Sequence, residues 1–498
     1  MRRVFCIALG TVLVSLSLSA EVSLPSLFGD HMVVQRDIPV HIWGTASAGE
    51  AVNVEFRGHS ASTSASEDGR WEVYLEPGHA GGPFSATIRG TNTVRLEDVM
   101  VGDVWVASGQ SNMVWPVSRS NHAESEIQAA SHPGIRYFKV ELTTAEEPLA
   151  DVKGEWRSVS PSTAGELSAV AYFFARDLHG KLGVPFGIIQ SAWGGTPVEA
   201  WTSSRKLSEE PALASLAKEF ASQGERAKPE YEATLERWEL RAAAAKAAGE
   251  ELPRRPRAPR ALQAHHRPSS LFNAMIAPLL PYGIRGAIWY QGENNASRGQ
   301  GRLYRAMFRA LIEDWRREWG LGTLPFLYVQ LANYGRVPEQ ATWAELREAQ
   351  AMALGLARTG MAVTIDIGNP TDIHPKNKQD VGRRLALAAR AVAYGETGLT
   401  HSGPAFRQAT SEGSAIRLWF DHADTGLEAR GGQLEGFEVA GADGRFVPAN
   451  ARISGKTVLV SNPDVKMPVQ ARYAWAADPK GNLFNSAGLP ASPFRTME

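Results

Sequence analysis

The chain has 498 residues, of which 43% are hydrophobic and 21% are charged, and its formal net charge is −1. This length and composition predict a soluble globular protein of two to four domains. The chain lacks the basic surplus with which nucleic-acid-binding proteins neutralise phosphates, so its charge argues against a nucleic-acid partner.

The N-terminus has the pattern of a secretory signal. Two arginines precede a short apolar run over residues 4–18, and a cut is expected near Ala20, with Ser19 as the alternative. The run is too short for a membrane span, although a permanent N-terminal anchor is the competing interpretation. The only cysteine, Cys6, lies in this segment, so the mature chain would have no disulfide and no thiolate site. Export without cysteine favours a bacterial periplasm or the extracellular space.

Residues 21–100 predict an N-terminal β-domain. Residues 51–56 and 69–75 alternate apolar and polar side chains, which is the period of a half-buried strand, and an Asp-Gly turn precedes the second run. Short strands at such close spacing are typical of a small β-sandwich.

Residues 101–395 predict an α/β domain. Short apolar runs, predicted as buried strands, alternate with stretches such as 169–182 and 304–319 that have helical spacing. This alternation favours a parallel sheet with helices on both faces, and ligands then bind at the carboxyl ends of the strands. The predicted strands are 104–107, 185–190, 286–290, 325–330 and 361–366.

Two regions depart from the alternation. Residues 205–262 are a charged insertion that turns Pro-rich, predicted as a helical excursion with an extended return, and its expected role is solvated decoration. After about residue 396, strand-like segments with Gly-rich turns predict a C-terminal β-domain over 396–498.

Ser111, in the run Gly109-Gln110-Ser111-Asn112-Met113, is the candidate nucleophile. It follows a predicted strand through a glycine, which favours a sharp strand-to-helix turn that exposes the hydroxyl at the edge of the sheet, near helix amides. A serine hydroxyl attacks well only when a base takes its proton. Gly-x-Ser-Asn is also an ordinary turn, so this run has weight only together with a base.

His374 is the candidate base. It lies in a loop shortly after the predicted strand that ends at Asp366, and Asp372 is near enough in sequence to orient the imidazole and stabilise its charged form. Asp366, at the strand end itself, is a rival acid. The structural alternative is a helix cap at Asp372 with a surface histidine.

Two further loops follow predicted strands. Gly194 and Gly195 let the backbone approach a ligand and present amides to a developing oxyanion. In the loop after Tyr290, Gln291 or Asn294 offers a side-chain donor. Each loop alone is consistent with a plain turn, but four polar, Gly-bearing or acid-bearing loops at predicted strand ends are harder to dismiss together.

No metal or cofactor is expected. His265 and His266 are adjacent in sequence, so their side chains would point apart on regular structure. The sequence contains neither an HExxH motif nor a phosphate-cradling GxxxxGK[ST] loop.

Together these loops resemble the sialate O-acetylesterase family, a branch of the SGNH-type serine hydrolases. The resemblance covers nearly the whole mature chain and implies an SGNH-like three-layer α/β/α hydrolase domain with N-terminal and C-terminal β-rich domains. It also implies removal of O-acetyl groups from sugars by a Ser-His-Asp mechanism without a cofactor. The matching motifs are at residues 27–35, 102–113, 191–201, 289–296 and 372–378.

The resemblance also implies roles for individual residues. Ser111 would be the nucleophile, His374 the general base and Asp372 the residue that orients it. The Ser111 amide and the Gly194–Gly195 region would form the oxyanion hole.

A side-chain donor is expected in the third loop, with Gln291 as the choice and Glu293 or Asn294 as alternatives. The wider superfamily usually has Asp three residues before the histidine, where this chain has Thr371.

Three functions remain open at this stage. The first is an esterase that deacetylates sialic acid or other glycans. The second has the same chemistry on acetylated xylan or xyloglucan of plant cell walls, and the third is a non-catalytic carbohydrate-binding protein. An acetylated sugar is the expected partner, and the sequence predicts no oligomeric state.

Overall fold

The computed structural model describes residues 21–337 and 340–496. The expected signal segment, residues 1–20, therefore lies outside the described residues. Among the helices that are described, none combines the length and the apolar character that crossing a membrane requires.

Antiparallel strands make up the N-terminal region. The predicted alternation at residues 51–56 is confirmed, since Val52, Val54 and Phe56 are buried while their neighbours face outward. One sheet pairs β2 with β5, and β3 pairs with β4 and β6. The strands are β1 (Val33–Gln35), β2 (Val40–Thr45), β3 (Ala51–Phe56), β4 (His59–Ser64), β5 (Arg70–Leu75) and β6 (Gly81–Arg89).

A large mixed sheet forms the centre of the molecule. Its strands run in the order β13-β12-β11-β7-β10-β8-β9, parallel except for β9. The chain builds one side of β7 first and the other side afterwards, which places a topological switch at β7, where such sheets bind ligands. The strands are β7 (Thr93–Gly109), β8 (His132–Lys139), β9 (Trp156–Val159), β10 (Phe186–Ala192), β11 (Gly286–Tyr290), β12 (Phe326–Val329) and β13 (Thr359–Ala362).

Strand β7 belongs to both the N-terminal region and the central sheet. Its first part, from Thr93 to Val101, pairs with β6, and its last part pairs with β10 on one side and β11 on the other. The strand is 17 residues long and buried from Val99 onward. The boundary expected between residues 100 and 101 thus falls inside one continuous strand.

Helices connect the strands of the central sheet. The helices predicted at 169–182 and 304–319 are confirmed as α3 and α7, and the helical excursion is confirmed as α5. Helix α3 contacts α9, and α9 contacts β12 and β13. The helices are α1 (Ser111–Val114), α2 (Ala123–Gln128), α3 (Ala169–Leu182), α4 (Ser204–Glu209), α5 (Pro211–Ala248), α6 (Glu293–Ser297), α7 (Tyr304–Trp319), α8 (Gln340–Met352) and α9 (Lys378–Val392).

Strand β13 is shorter than the predicted strand over 361–366. It ends at Ala362, because side chains bind the following backbone in place of a neighbouring strand. Arg384 donates to the carbonyl of Val363 at 2.6 Å and to both carboxylate oxygens of Asp366. The chain therefore turns away at Val363 and begins the loop that contains His374.

The C-terminal region is rich in short antiparallel strands. Arg347 of α8 anchors this region, since its buried guanidinium donates to the carbonyls of Ala476 and Ala477 as well as to those of Leu331 and Ala332. The strands are β14 (Ala405–Glu412), β15 (Ala415–Asp421), β16 (Leu427–Ala429), β17 (Phe437–Ala440), β18 (Val447–Pro448), β19 (Asn450–Ser454), β20 (Thr457–Ser461), β21 (Gln470–Tyr473), β22 (Leu483–Asn485) and β23 (Phe494–Arg495).

Candidate active site

Ser111 lies where β7 ends and α1 begins. Gly109 closes the strand at a φ of +134°, and a Cβ there would lie 2.2 Å from the carbonyl oxygen of Tyr290, so only glycine fits. The register places Gly109 beside Ala192 of β10 and Tyr290 of β11. Three loops that follow parallel strands therefore start at the same edge of the sheet, as the sequence predicts.

His374 approaches Ser111 from the loop after β13. Its Nε2 lies 2.9 Å from the Ser111 Oγ, which is hydrogen-bond distance, and the indole of Trp115 stacks on the imidazole at 5.0 Å. Burial lowers the pKa of His374, the charges of Lys378 and Arg119 lower it further, and Asp372 opposes them. The imidazole is therefore neutral at neutral pH, and its Nε2 can accept the Ser111 proton.

Asp372 lies beside His374, but the contact is loose. Its Oδ1 is 3.7 Å from the imidazole Nδ1, within ion-pair range and beyond a hydrogen bond. The same oxygen accepts the backbone N–H of His374 at 2.9 Å, and the carboxylate is 45% exposed. Asp366 is not available as the rival acid, because both of its oxygens bind Arg384 at 2.6 Å.

The glycine loop after β10 borders Ser111 directly. A Cβ built on Gly194 would lie 3.5 Å from the Cβ of Ser111. Within residues 21–337 and 340–496, neither the Gly194 nor the Gly195 amide donates a hydrogen bond. The Gly195 carbonyl is held by Asn294 Nδ2 at 2.6 Å and faces the His266 Nε2 at 3.0 Å. The loop thus presents unused backbone donors beside the serine, which is the arrangement that stabilises an oxyanion.

The side chain of Gln291, the predicted oxyanion donor, is engaged in hydrogen bonds inside the protein. The side chain is 0% exposed, and its amide group donates to the Thr196 carbonyl at 3.2 Å and to Asn295 Oδ1 at 2.7 Å. Its oxygen accepts the Tyr304 hydroxyl. Gln291 therefore stabilises its loop through hydrogen bonds in the protein interior.

The two alternatives to Gln291 also have other contacts. Glu293 is buried and accepts a hydrogen bond from Asn112 at 2.6 Å. The side-chain amide of Asn294 donates a hydrogen bond to the Gly195 carbonyl, so Asn294 positions the glycine loop. No metal cluster of three or more His, Cys, Asp or Glu side chains occurs in the described part of the chain.

Comparisons with known proteins give the family. A family model described as "Carbohydrate esterase, sialic acid-specific acetylesterase" matches residues 101–242 and 260–391. A sialate O-acetylesterase of Rattus norvegicus is 34% identical over 94% of this chain and 93% of its own. The chain belongs to the sialic acid-specific acetylesterase family of carbohydrate esterases. It is accordingly a carboxylic ester hydrolase that acts on O-acetyl esters of sugars.

Other members of the carbohydrate esterases support this assignment. A sialate O-acetylesterase of Mus musculus is 32% identical over 94% of this chain and 93% of its own. The crystal structure of a carbohydrate acetylesterase from Xanthomonas citri superposes with a TM-score of 0.82 and 41% identity, covering 96% of this chain and 99% of that one.

The sequence motifs of this esterase contain a buried network whose role the sequence did not reveal. Asn112, next to the serine, donates to Glu293 at 2.6 Å and to the Ile373 carbonyl at 3.0 Å, and accepts from Lys378 Nζ at 2.5 Å. The Asn112 amide therefore joins the turn that contains Ser111 to the loop that contains His374. Asn112 and Lys378 lie near the ends of motifs that the resemblance identified. Their position in these motifs was the sequence signal that could have pointed to the network.

Lys378 sets the electrostatic environment of His374 in this esterase. It is 0% exposed, and burial lowers its pKa to about 7, against the opposing charges of Glu293 and Asp372. The His374 pKa lies below 6.5, so Lys378 is mostly protonated while His374 titrates. Lys378→Met removes that positive charge, and we expect the acidic limb of the kcat/KM profile on an activated acetyl ester to move to higher pH.

Lys376→Met is the matched control for this shift. Lys376 is two residues from His374 but exposed to solvent, where water screens its charge. The control should leave the acidic limb where it is in the wild-type protein. An unchanged or downward-shifted limb in Lys378→Met would contradict the assigned electrostatic role.

Proposed function

We propose that the chain deacetylates sugars with Ser111 as nucleophile, His374 as general base and Asp372 as the residue that steadies the imidazolium. The observation that supports this most strongly is the 2.9 Å contact between Ser111 Oγ and His374 Nε2, beside Gly194 at the carboxyl edge of the sheet. A serine paired with a base beside backbone donors is the arrangement of acyl-transfer enzymes.

The reaction proceeds in two steps through an acetyl-serine. His374 takes the Ser111 proton as the hydroxyl oxygen attacks the acetyl carbonyl, and the amides of Ser111 and Gly194 stabilise the oxyanion. The carbon–oxygen bond to the sugar then breaks, and His374 returns the proton to the sugar alcohol. In the second step His374 takes a proton from water, hydroxide attacks the acetyl-serine, and acetate leaves as Ser111 regains its proton.

We favour O-acetylated sialic acid as the substrate. The rat and mouse relatives are named sialate O-acetylesterases and match almost the whole chain. Acetylated xylan or xyloglucan is the second candidate, since the Xanthomonas citri relative is described only as a carbohydrate acetylesterase. The third interpretation, a non-catalytic carbohydrate-binding protein, is disfavoured by membership in an esterase family.

The domain architecture and the cellular location of the protein are also part of this proposal. We place an SGNH-like three-layer α/β/α domain at 101–395, including the 205–262 insertion, with β-domains at 21–100 and 396–498. Export to a bacterial periplasm or beyond rests on the apolar run at residues 4–18.

The test measures acetate release from matched substrates. O-acetylated sialosides are compared with acetylated xylo-oligosaccharides and xyloglucan oligosaccharides, and we expect the highest kcat/KM on a sialoside. A serine-reactive phosphonate should label the protein at Ser111, as located by peptide mapping.

Two results would contradict the proposal in different ways. Labelling at another serine would refute the assigned nucleophile. A higher kcat/KM on the plant oligosaccharides, with labelling at Ser111, would refute only the sialic-acid substrate.

A further inference from the structure

A cleft of about 500 Å³ opens beside the glycine loop that follows β10. Gly194 lines this cleft and also borders Ser111, since a Cβ built on it would lie 3.5 Å from that of the serine. One wall comes from the Pro-rich return of the insertion, which the sequence predicts as decoration. We call this cleft the arginine cleft, and its lining includes Gly194, Gly195, Arg257, Arg260, His266 and Asn294.

The arginine cleft has positive charge without a compensating acid. Arg257 and Arg260 are its two cationic side chains, and no carboxylate lines it. Among residues 21–337 and 340–496, no carboxylate forms an ion pair with either arginine. Glu199, which opposes the lowered pKa of Arg260, pairs instead with Arg298 and accepts from Asn295 at 2.9 Å.

Arg260 is the more buried of the two arginines. Its Nη2 donates to Asn294 Oδ1 at 2.6 Å, and its Nε is buried without a partner among the described residues. Burial and, to a smaller extent, the nearby charge of Arg298 together lower its pKa to about 10. A desolvated guanidinium that lacks an anion is energetically costly, and an anionic ligand group offsets that cost.

The same contacts fix the position of Arg260 relative to the reaction centre. Asn294 accepts from Arg260 and donates to the Gly195 carbonyl at 2.6 Å. His266 faces that carbonyl as well, and burial lowers its pKa to about 4, so it is neutral at neutral pH. Arg260 and the glycine loop are therefore held as one unit beside Ser111.

We propose that the arginine cleft binds the carboxylate of an acidic acetylated sugar, with Arg260 as the principal ligand and Arg257 at the exposed rim. This inference rests on the proposed function, because it orients the sugar whose acetyl group reaches Ser111. A guanidinium matches the geometry of a carboxylate and binds it in bidentate fashion. The insertion thus supplies the selectivity for an acidic substrate, and neutral sugars gain nothing from it.

Kinetics on a substrate pair test the cleft. O-acetylated N-acetylneuraminic acid is compared with its methyl ester, which removes the negative charge and little else. The wild-type protein should prefer the free acid by about tenfold or more in kcat/KM, the range expected for one charge-assisted contact. Arg260→Gln should abolish most of that preference, and Arg260→Lys should retain part of it.

Arg254→Gln is the matched control. Arg254 lies on the same return segment, is exposed and does not line the cleft. It should leave the preference unchanged. Arg257→Gln gives a second variant if Arg260→Gln does not fold, and it should lower the preference by a smaller factor.

Direct binding separates this proposal from the esterase assignment. Calorimetry with unacetylated N-acetylneuraminic acid on the wild-type protein needs no turnover, and binding should weaken about tenfold or more in Arg260→Gln. Equal affinity for the acid and its methyl ester would overturn the cleft while leaving Ser111 chemistry intact. Equal binding of glucuronate would support an acidic-sugar site of wider selectivity.

Discussion

Ser111→Ala should reduce acetate release by a factor on the order of 10⁵–10⁶ in kcat, because a triad without its nucleophile keeps only binding and oxyanion stabilisation. The variant removes the one atom that His374 Nε2 contacts at 2.9 Å. The measurement is acetate release from an activated acetyl ester and from an acetylated sialoside. The two substrates should show the same loss, since both acylate the same oxygen.

Ser118→Ala is the matched control for the nucleophile. Ser118 lies seven residues further along the chain and is exposed at the surface. Its removal should leave the turnover at the wild-type value, and both variants should melt at the wild-type temperature. Residual activity of Ser111→Ala within tenfold of wild type would show that another residue attacks the ester.

Asp103→Asn should lower the free energy of unfolding by about 3–5 kcal/mol, because it leaves two partly buried arginines without the charge of their fully buried partner. Asp103 is 0% exposed and accepts two hydrogen bonds from Arg36 at 2.9 Å, one from Arg285 at 3.0 Å and one from Tyr394 at 3.0 Å. These partners lie in the segment after β1, immediately before β11 and shortly after α9. Urea unfolding measures the loss.

Asp37→Asn is the matched control, because it removes a charge next to the same two arginines. Asp37 also pairs with Arg285 and Arg36, but its side chain is 57% exposed, where an ion pair contributes about 0–1 kcal/mol. If Asp103→Asn lowers the free energy of unfolding by less than about 1 kcal/mol, the Asp103 charge contributes no more than an exposed ion pair.

The Asp103 contribution should depend on pH in a defined direction. Burial alone would raise its pKa, but the hydrogen bond from Arg36 and the charges of Arg285 and Arg36 hold it below 3.8. A depressed folded pKa stabilises the protein above the unfolded value, and this stabilisation disappears as the pH falls through the folded pKa. The difference between wild type and Asp103→Asn should therefore shrink in acid.

The sequence predicted those parts of the site in which a residue with a possible chemical role directly follows a predicted strand. Ser111, Gly194 and His374 each follow a strand of a parallel sheet, so the periodicity that identified the strands also placed these residues at one edge. Helices α3 and α7 were predicted with their bounds because their apolar spacing is unbroken. The resemblance then supplied the roles that spacing could not.

The contacts of Gln291 and Arg260 could not be predicted from the sequence. Three polar residues follow Gln291 and Gly292, and no sequence pattern shows that the Gln291 amide is the one that turns inward to Thr196 and Asn295. Arg260 reaches the glycine loop only because the 38-residue α5 carries the chain out and the Pro-rich segment returns it. No local sequence pattern indicates that Arg260 lies close to the glycine loop.

The continuity of β7 limits where this protein can be divided. Thr93 to Val101 pair with β6, and the same strand continues into the pairing that delivers Ser111. A recombination event between residues 100 and 101 would divide one hydrogen-bonded ribbon and detach the turn at Gly109 from its support. The N-terminal strands therefore support the turn that contains Ser111, and we expect that a folded truncation must retain the chain from before Thr93.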